Sequence, residues 1–204
     1  MNYLGNLLSS FNQKYSFTIK EEEITQDYSN KFKLYKGTKE EKEITVFILD
    51  LKRNSDLVYA GKNAFKKLKS IKFPSILSFV DGVEETDKII ICTEYVTPLM
   101  RGLEKSSFSN DSLLWGLYSI GKSVEFLNRQ GIIHGNLSVS SVFVTRSGEW
   151  KLSGMEFSAS SVEEFLQTMP NTGSSRNMHL PRGNVNIYLS KARVIIVFIC
   201  DQLL

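Results

Sequence analysis

Ile132-Ile133-His134-Gly135-Asn136-Leu137, then Val142-Phe143-Val144, the turn Arg146-Ser147-Gly148 and Trp150-Lys151-Leu152: residues 132–152 carry the reading on which the fold turns. A histidine-bearing loop running into two short apolar stretches around a glycine turn predicts a loop followed by a short hairpin. On its N-terminal side stand Leu113, Leu114, Leu117, Ile120, Val124 and Leu127, the three-and-four spacing of an amphipathic helix. Asp111 or Ser112 is placed to cap that helix and Gly131 to end it. Residues 101–110 before it read as a polar connector. Further upstream, Tyr15, Phe17 and Ile19, then Phe32 and Leu34, then Ile44, Val46 and Ile48 alternate as three antiparallel strands, with 37–42 as a polar hairpin loop. Leu57, Ala60, Ala64, Phe65, Leu68 and Ile71 repeat at helical spacing, and Pro74 is expected to end that helix. Residues 76–80 and 88–96 read as two more strands around a turn at 81–87. The order is therefore three strands, a helix, two strands, a long helix and the histidine loop.

Composition narrows the class but not the role. The 204 residues are 42% hydrophobic and 23% charged, enough for a sizeable core, and a net charge of +3 demands no nucleic-acid partner. The first residues lack the basic flank and continuous apolar run of a signal peptide, so a cytosolic protein is expected. Cys92 and Cys200 have no zinc-site spacing and are expected to be reduced thiols, Cys92 in the core. Trp115 and Trp150 are expected to be core aromatics. Beyond Phe157 the text turns polar, apart from a short helical stretch at 162–168. It closes on Val194-Ile195-Ile196-Val197-Phe198-Ile199-Cys200, too short for a membrane-spanning helix and read as a buried strand.

The element order, together with Phe32 to Phe47 and the loop at 133–144, resembles a protein-kinase small lobe and the start of its large lobe. More narrowly, Ala64-Phe65-Lys66-Lys67-Leu68-Lys69, Phe73-Pro74-Ser75-Ile76-Leu77, Tyr95-Val96-Thr97-Pro98-Leu99 and Gly148-Glu149-Trp150-Lys151-Leu152 are similar to the N-terminal kinase-like, or Scy-like, family of pseudokinases. The fold implied is α+β: a five-stranded antiparallel sheet plus one helix, joined to an incomplete, mainly helical large lobe. The resemblance divides the chain into an N-terminal segment 1–14, a small lobe to hinge 15–96, a partial large lobe 97–157 and a divergent tail 158–204.

On that register every catalytic position is altered. The three glycines that let backbone approach the phosphates fall at Thr25, Asp27 and Asn30. The strand lysine is Phe47, and its helix glutamate partner is Ala64. The base aspartate is Asn136, which cannot take a proton as a carboxylate does, and Gly135 replaces the arginine before it. Ser141 stands for the metal-holding asparagine, and Gly154-Met155-Glu156 for Asp-Phe-Gly. His134 remains, with a structural role. Glu94 and Val96 lie in a vestigial hinge. Lys62, Lys66 and Lys69 form a basic patch on the inserted helix, suited either to solvation or to RNA phosphates.

The resemblance implies a non-catalytic scaffold or adaptor, cytoplasmic and associated with the Golgi or nuclear pore. Its work would lie in Golgi-to-endoplasmic-reticulum coat traffic or nuclear tRNA export. It implies no cofactor, no metal, no transmembrane segment, weak or no nucleotide binding, and protein partners, with tRNA as a further one. Two other readings stand beside it: a divergent ATP-binding kinase, and a truncated fragment without independent function.

Overall fold

The computed structural model describes residues 14–23, 32–105 and 108–168. The phosphate-loop positions Thr25, Asp27 and Asn30 and the apolar run 194–200 lie outside the described residues. The first sheet has five antiparallel strands in the order β1-β2-β3-β5-β4: β1 (Thr18–Glu23), β2 (Lys33–Lys39), β3 (Lys42–Asp50), β4 (Phe79–Glu84) and β5 (Lys88–Glu94). Helix α1 (Val58–Ser70) is inserted between β3 and β4 and packs Ala60, Gly61, Ala64, Phe65 and Leu68 inward. After the hinge, β6 (Thr97–Pro98), β7 (Val142–Val144) and β8 (Trp150–Leu152) make a second, small sheet, with α2 (Leu99–Lys105) and α3 (Asn110–Arg129) between β6 and β7. A short helix, α4 (Val162–Thr168), follows and packs back on α1.

The central strand β3 is buried on both faces, which is why it reads Ile-Thr-Val-Phe-Ile-Leu without a polar side. Phe47 and Leu49 face the main core, which continues through α1 into Ile120, Val124 and Leu127 of α3 and into β7 and β8. Ile44 and Val46 face the other way, into a smaller cluster with Phe17, Ile19, Ile90 and Cys92. Leu68, Ile76, Val142 and Val144 lie in the main core; Ile48 and Leu137 are only half-buried. Cys92 is buried as expected, and burial pushes its thiol up to about 12.

Several local expectations are corrected. The hairpin between β2 and β3 is a two-residue turn: Lys39 pairs with Lys42, and Glu40 and Glu41 have φ of 48° and 64°, the positive pair that matches strand twist. Gly37 belongs to the strand, not to the loop, because a Cβ there would sit 2.6 Å from the Thr18 carbonyl oxygen. Helix α1 ends at Ser70, since Ile71 is already extended at ψ 126°, and Pro74 follows later. β4 starts at Phe79 rather than Ile76: Ile76 and Leu77 instead meet β8, where Leu77 N–H donates to Leu152 and Leu152 N–H to Ser75 (2.9 and 2.7 Å). β4 is an edge strand, so its polar Asp81-Gly82 sequence hid it; Asp81 is held by Lys39 and Ser16.

The polar connector also gives way to structure. Leu99 is fully buried and Leu103 packs on the core, enough to anchor α2 inside 101–110. Ser109, not Asp111 or Ser112, caps α3, its hydroxyl accepting the Ser112 N–H at 3.2 Å. Gly131, at φ 71°, follows the C-cap as expected. Trp150 is 2% exposed, but Trp115 is 65% exposed. The reason is helical phase: Gly116 presses against the Trp150 ring, where a Cβ would lie 2.3 Å from ring carbon, so the neighbouring Trp115 points away.

Candidate nucleotide site and catalytic loop

β3 and the hinge meet through one hydroxyl. Thr45 is fully buried; its Oγ1 accepts the Val96 N–H and donates to the Val96 carbonyl, both at 2.9 Å. One side chain thus satisfies both backbone polar groups of Val96. Thr93 Oγ1 donates to the Glu94 carbonyl at 2.9 Å. The Glu94 carboxylate accepts the Ser78 N–H at 2.9 Å and lies 3.6 Å from Lys151 Nζ. The hinge pair Glu94 and Val96 is therefore bonded inside the protein.

Two residues along β3, Phe47 packs edge-on to Phe143 of β7 at 5.5 Å and to Phe32 of the β2 entry at 6.5 Å. Such contacts contribute about 0.5–1.5 kcal/mol each beyond burial. Ala64 of α1 is 1% exposed in the same cluster, so the strand and the helix meet here through an apolar wall. Thr45 was missed in the sequence. Its signal was a lone hydroxyl in the otherwise apolar run Ile44-Thr45-Val46-Phe47.

The loop after α3 brings His134, Asn136, Ser141 and Gly154 together. His134 is 4% exposed; Nε2–H donates to the Ser153 carbonyl at 2.6 Å and Nδ1 accepts the Asn136 N–H at 3.3 Å. Burial holds its pKa down at about 4, so the ring is neutral and acts as a strut between the loop and β8. The Ser141 hydroxyl donates to the Ser138 carbonyl (2.7 Å) and accepts its N–H (3.1 Å), closing a capping box within the loop. Gly154 has φ 77°, and a Cβ on it would lie 2.6 Å from Ser141 Cβ. A carboxylate-bearing residue at 154 would meet both the backbone conformation and Ser141.

Glu156 turns its carboxyl inward. Oε2 is buried without a hydrogen-bond partner among the described residues, and burial pushes the pKa up against the Asn136 amide, which favours the charged form. Among the described residues no three His, Cys, Asp or Glu side chains come together to hold a metal ion.

Helix α1 grips the segment after Gly154 by two polar side chains one turn apart. Asn63 Nδ2, nearly buried, donates towards the carbonyls of Met155, Glu156 and Ser158 at 3.3, 3.1 and 2.7 Å. Lys67 pairs with Glu164 of α4 at 3.0 Å. Burial would raise the Glu164 carboxyl, but the Ser160 hydroxyl and N–H and the Lys67 ammonium outweigh it and hold it at about 2. Asn63 also escaped the sequence reading, because nothing local shows that three carbonyls converge on it. Asn63→Ala is expected to lose about 2 kcal/mol by leaving buried carbonyls unpaired, read from urea unfolding. An unchanged midpoint would show that the grip is dispensable. Lys62, Lys66 and Lys69 stay exposed along the outer face of α1.

Residues 23–176 match the protein tyrosine and serine/threonine kinase family. The chain is 36% identical over 127 residues to the Dictyostelium discoideum protein named probable inactive serine/threonine-protein kinase scy1, covering 61% of this chain and 15% of that one. It is 39% identical over 114 residues to the Mus musculus protein-associating with the carboxyl-terminal domain of ezrin, covering 52% and 15%. With cytoplasmic export protein 1 of Saccharomyces cerevisiae it shares 26% identity over 165 residues, 78% of this chain and 21% of that one. The crystal structure of Cex1p superposes with a TM-score of 0.63 at 25% identity, over 89% of this chain and 30% of that one. The chain thus spans about 15% of the length of the first two relatives. The five-stranded sheet with its inserted helix, the matched residues and these relatives agree: the chain belongs to the protein kinase family, and its homologues are the Scy1-like pseudokinases and cytoplasmic export protein 1.

Proposed function

We propose that this chain is a catalytically inactive kinase-like scaffold in which the protein's own side chains occupy the nucleotide site. The observation that carries this reading is Thr45 bonded to both backbone groups of Val96, with Phe47 filling the space beside it. The degenerate positions Phe47, Ala64, Asn136, Ser141 and Gly154 support it, because phosphoryl transfer depends on positioned charge and metal that these side chains do not supply. The lobes are proposed to run 15–96 and 97–157, with 158–204 as the divergent tail. Millimolar ATP with Mg²⁺ is expected to leave the melting temperature unchanged. A 10 µM site would add about 2.7 kcal/mol at 1 mM ligand, a shift of several degrees, and such a shift would establish a nucleotide-binding kinase instead.

As a scaffold it acts through partners. The role drawn from the resemblance is that of an adaptor in vesicle traffic between Golgi and endoplasmic reticulum, or in nuclear tRNA export, at a cytoplasmic site beside the Golgi or nuclear pore. The mouse relative's name records association with another protein, and the yeast relative's name records cytoplasmic export. Among the described residues no helix is long and apolar enough to cross a membrane.

The exposed lysine face favours RNA as one partner. Lys62, Lys66 and Lys69, spaced by four and three on α1, all point outward, whereas Lys67 is drawn aside by Glu164. Three lysine–phosphate contacts predict that the logarithm of tRNA affinity falls with that of salt at a slope of about −2 to −3. Replacing the three by Gln should flatten that slope in a fluorescence-anisotropy titration. Salt-insensitive binding would leave the face as a solvated surface.

A further inference from the structure

Leu114, Trp115 and Tyr118 of α3 are 64, 65 and 57% exposed, and the Trp115 and Tyr118 rings stack at 5.4 Å. With Asp111 they line a shallow concavity. Asp111, Trp115, Tyr118 and Lys122 follow one another at intervals of four, three and four, the spacing of a seam along which two helices pack. This seam is self-complementary under a two-fold axis. If two copies of α3 run antiparallel about a centre between Gly116 and Leu117, Trp115 faces Tyr118 of the other copy, and Asp111 faces its Lys122. Each contact occurs twice, as an isologous interface requires.

The charges support the pairing. Asp111 is exposed and makes no ion pair among the described residues. Among the described residues Lys122 pairs with Glu125, and Glu125 keeps a second partner, Arg129. Lys122 can thus turn to Asp111 of a second copy without stranding Glu125. Exposed aromatic side chains such as Trp115 and Tyr118 are the groups that anchor interfaces.

We propose that the α3 face is an interface between two copies of this chain, an antiparallel α3–α3 pair centred on Trp115 and Tyr118. One helix pair is a small contact, so association in the micromolar range is expected.

The test is sedimentation velocity on the full chain across that range. The wild type should dimerise, and Trp115→Ala should weaken the dimer at least about tenfold, as loss of a central aromatic anchor does. Asp111→Lys alone and Lys122→Asp alone should each weaken it by a similar factor, about tenfold, through like-charge contact. An equimolar mixture of these two variants should dimerise again, because every 111–122 contact then joins Lys to Asp. That recovery also shows that both variants are folded. A wild type monomeric at 100 µM would overturn the proposal, as would a dimer indifferent to all three substitutions. So would failure of the charge-swapped mixture to associate.

Discussion

Phe47→Lys is expected to unfold the protein rather than restore nucleotide binding. The substitution removes a ring that packs against Phe143 and Phe32, and it puts an ammonium where Ala64 offers no counter-charge. Losing a buried aromatic destabilises by about 3–5 kcal/mol, and an unpaired buried charge adds several more. Against a typical domain stability of about 5–15 kcal/mol, the variant should be largely unfolded or insoluble at room temperature. Phe47→Leu, which keeps the site apolar, should lose only about 1–2 kcal/mol. The double variant Phe47→Lys/Ala64→Glu should recover part of the deficit by supplying the opposite charge, yet still show no ATP-induced shift in melting while Thr45 holds Val96. A folded Phe47→Lys single variant that melts higher with ATP would show that the aromatic wall is not what closes the site.

The second large effect concerns pH. His134 has a folded pKa of about 4, below the usual 6.5, because it is buried. Between those values the unfolded chain binds a proton that the folded protein refuses, so stability falls as pH falls. The loss for this group alone is about 2 kcal/mol by pH 5 and about 3 kcal/mol by pH 4, relative to pH 7. Glu156 works the other way. Its carboxyl is raised by burial, so the unfolded state releases its proton first and the group opposes folding as pH rises above the ordinary carboxylate value. In the wild-type profile these two oppose each other, and Glu164, whose carboxyl is held down at about 2, adds to the acid loss below the ordinary carboxylate range. Glu156→Gln should therefore raise stability at pH 7 and leave a steeper acid limb, whereas His134→Gln should flatten the limb between pH 4 and 6.5. Urea midpoints at several pH values decide this, and an acid limb unchanged by His134→Gln would mean that the ring is not the group being protonated.

These expectations rest on features of unequal visibility. The sheet, the inserted helix and the long helix were legible because their apolar residues recur at periods of two or of three and four, and burial enforces those periods. The turn at Glu40-Glu41 was not, since two glutamates carry no turn signal and the nearby glycine serves β1 instead. β4 was misplaced because an edge strand needs few apolar residues, while the apolar Ile76-Leu77 is spent at the junction with β8. Trp115 reads as core because it is a large aromatic, but its helical phase puts it outside. In the candidate site, Phe47, Ala64, Asn136, Ser141 and Gly154 could be named from register alone. What they touch could not.

Sequence by itself determined the order of elements, because that follows from local periodicity; the residues proposed for the catalytic positions come from the family resemblance. Tertiary structure alone decided what those residues do instead. Thr45 reaches Val96 from 51 positions away, Asn63 collects carbonyls 92 to 95 positions on, and Phe47 meets Phe143 across the two sheets. Only folding brings such distant groups within the few ångströms over which hydrogen bonds and ring contacts act.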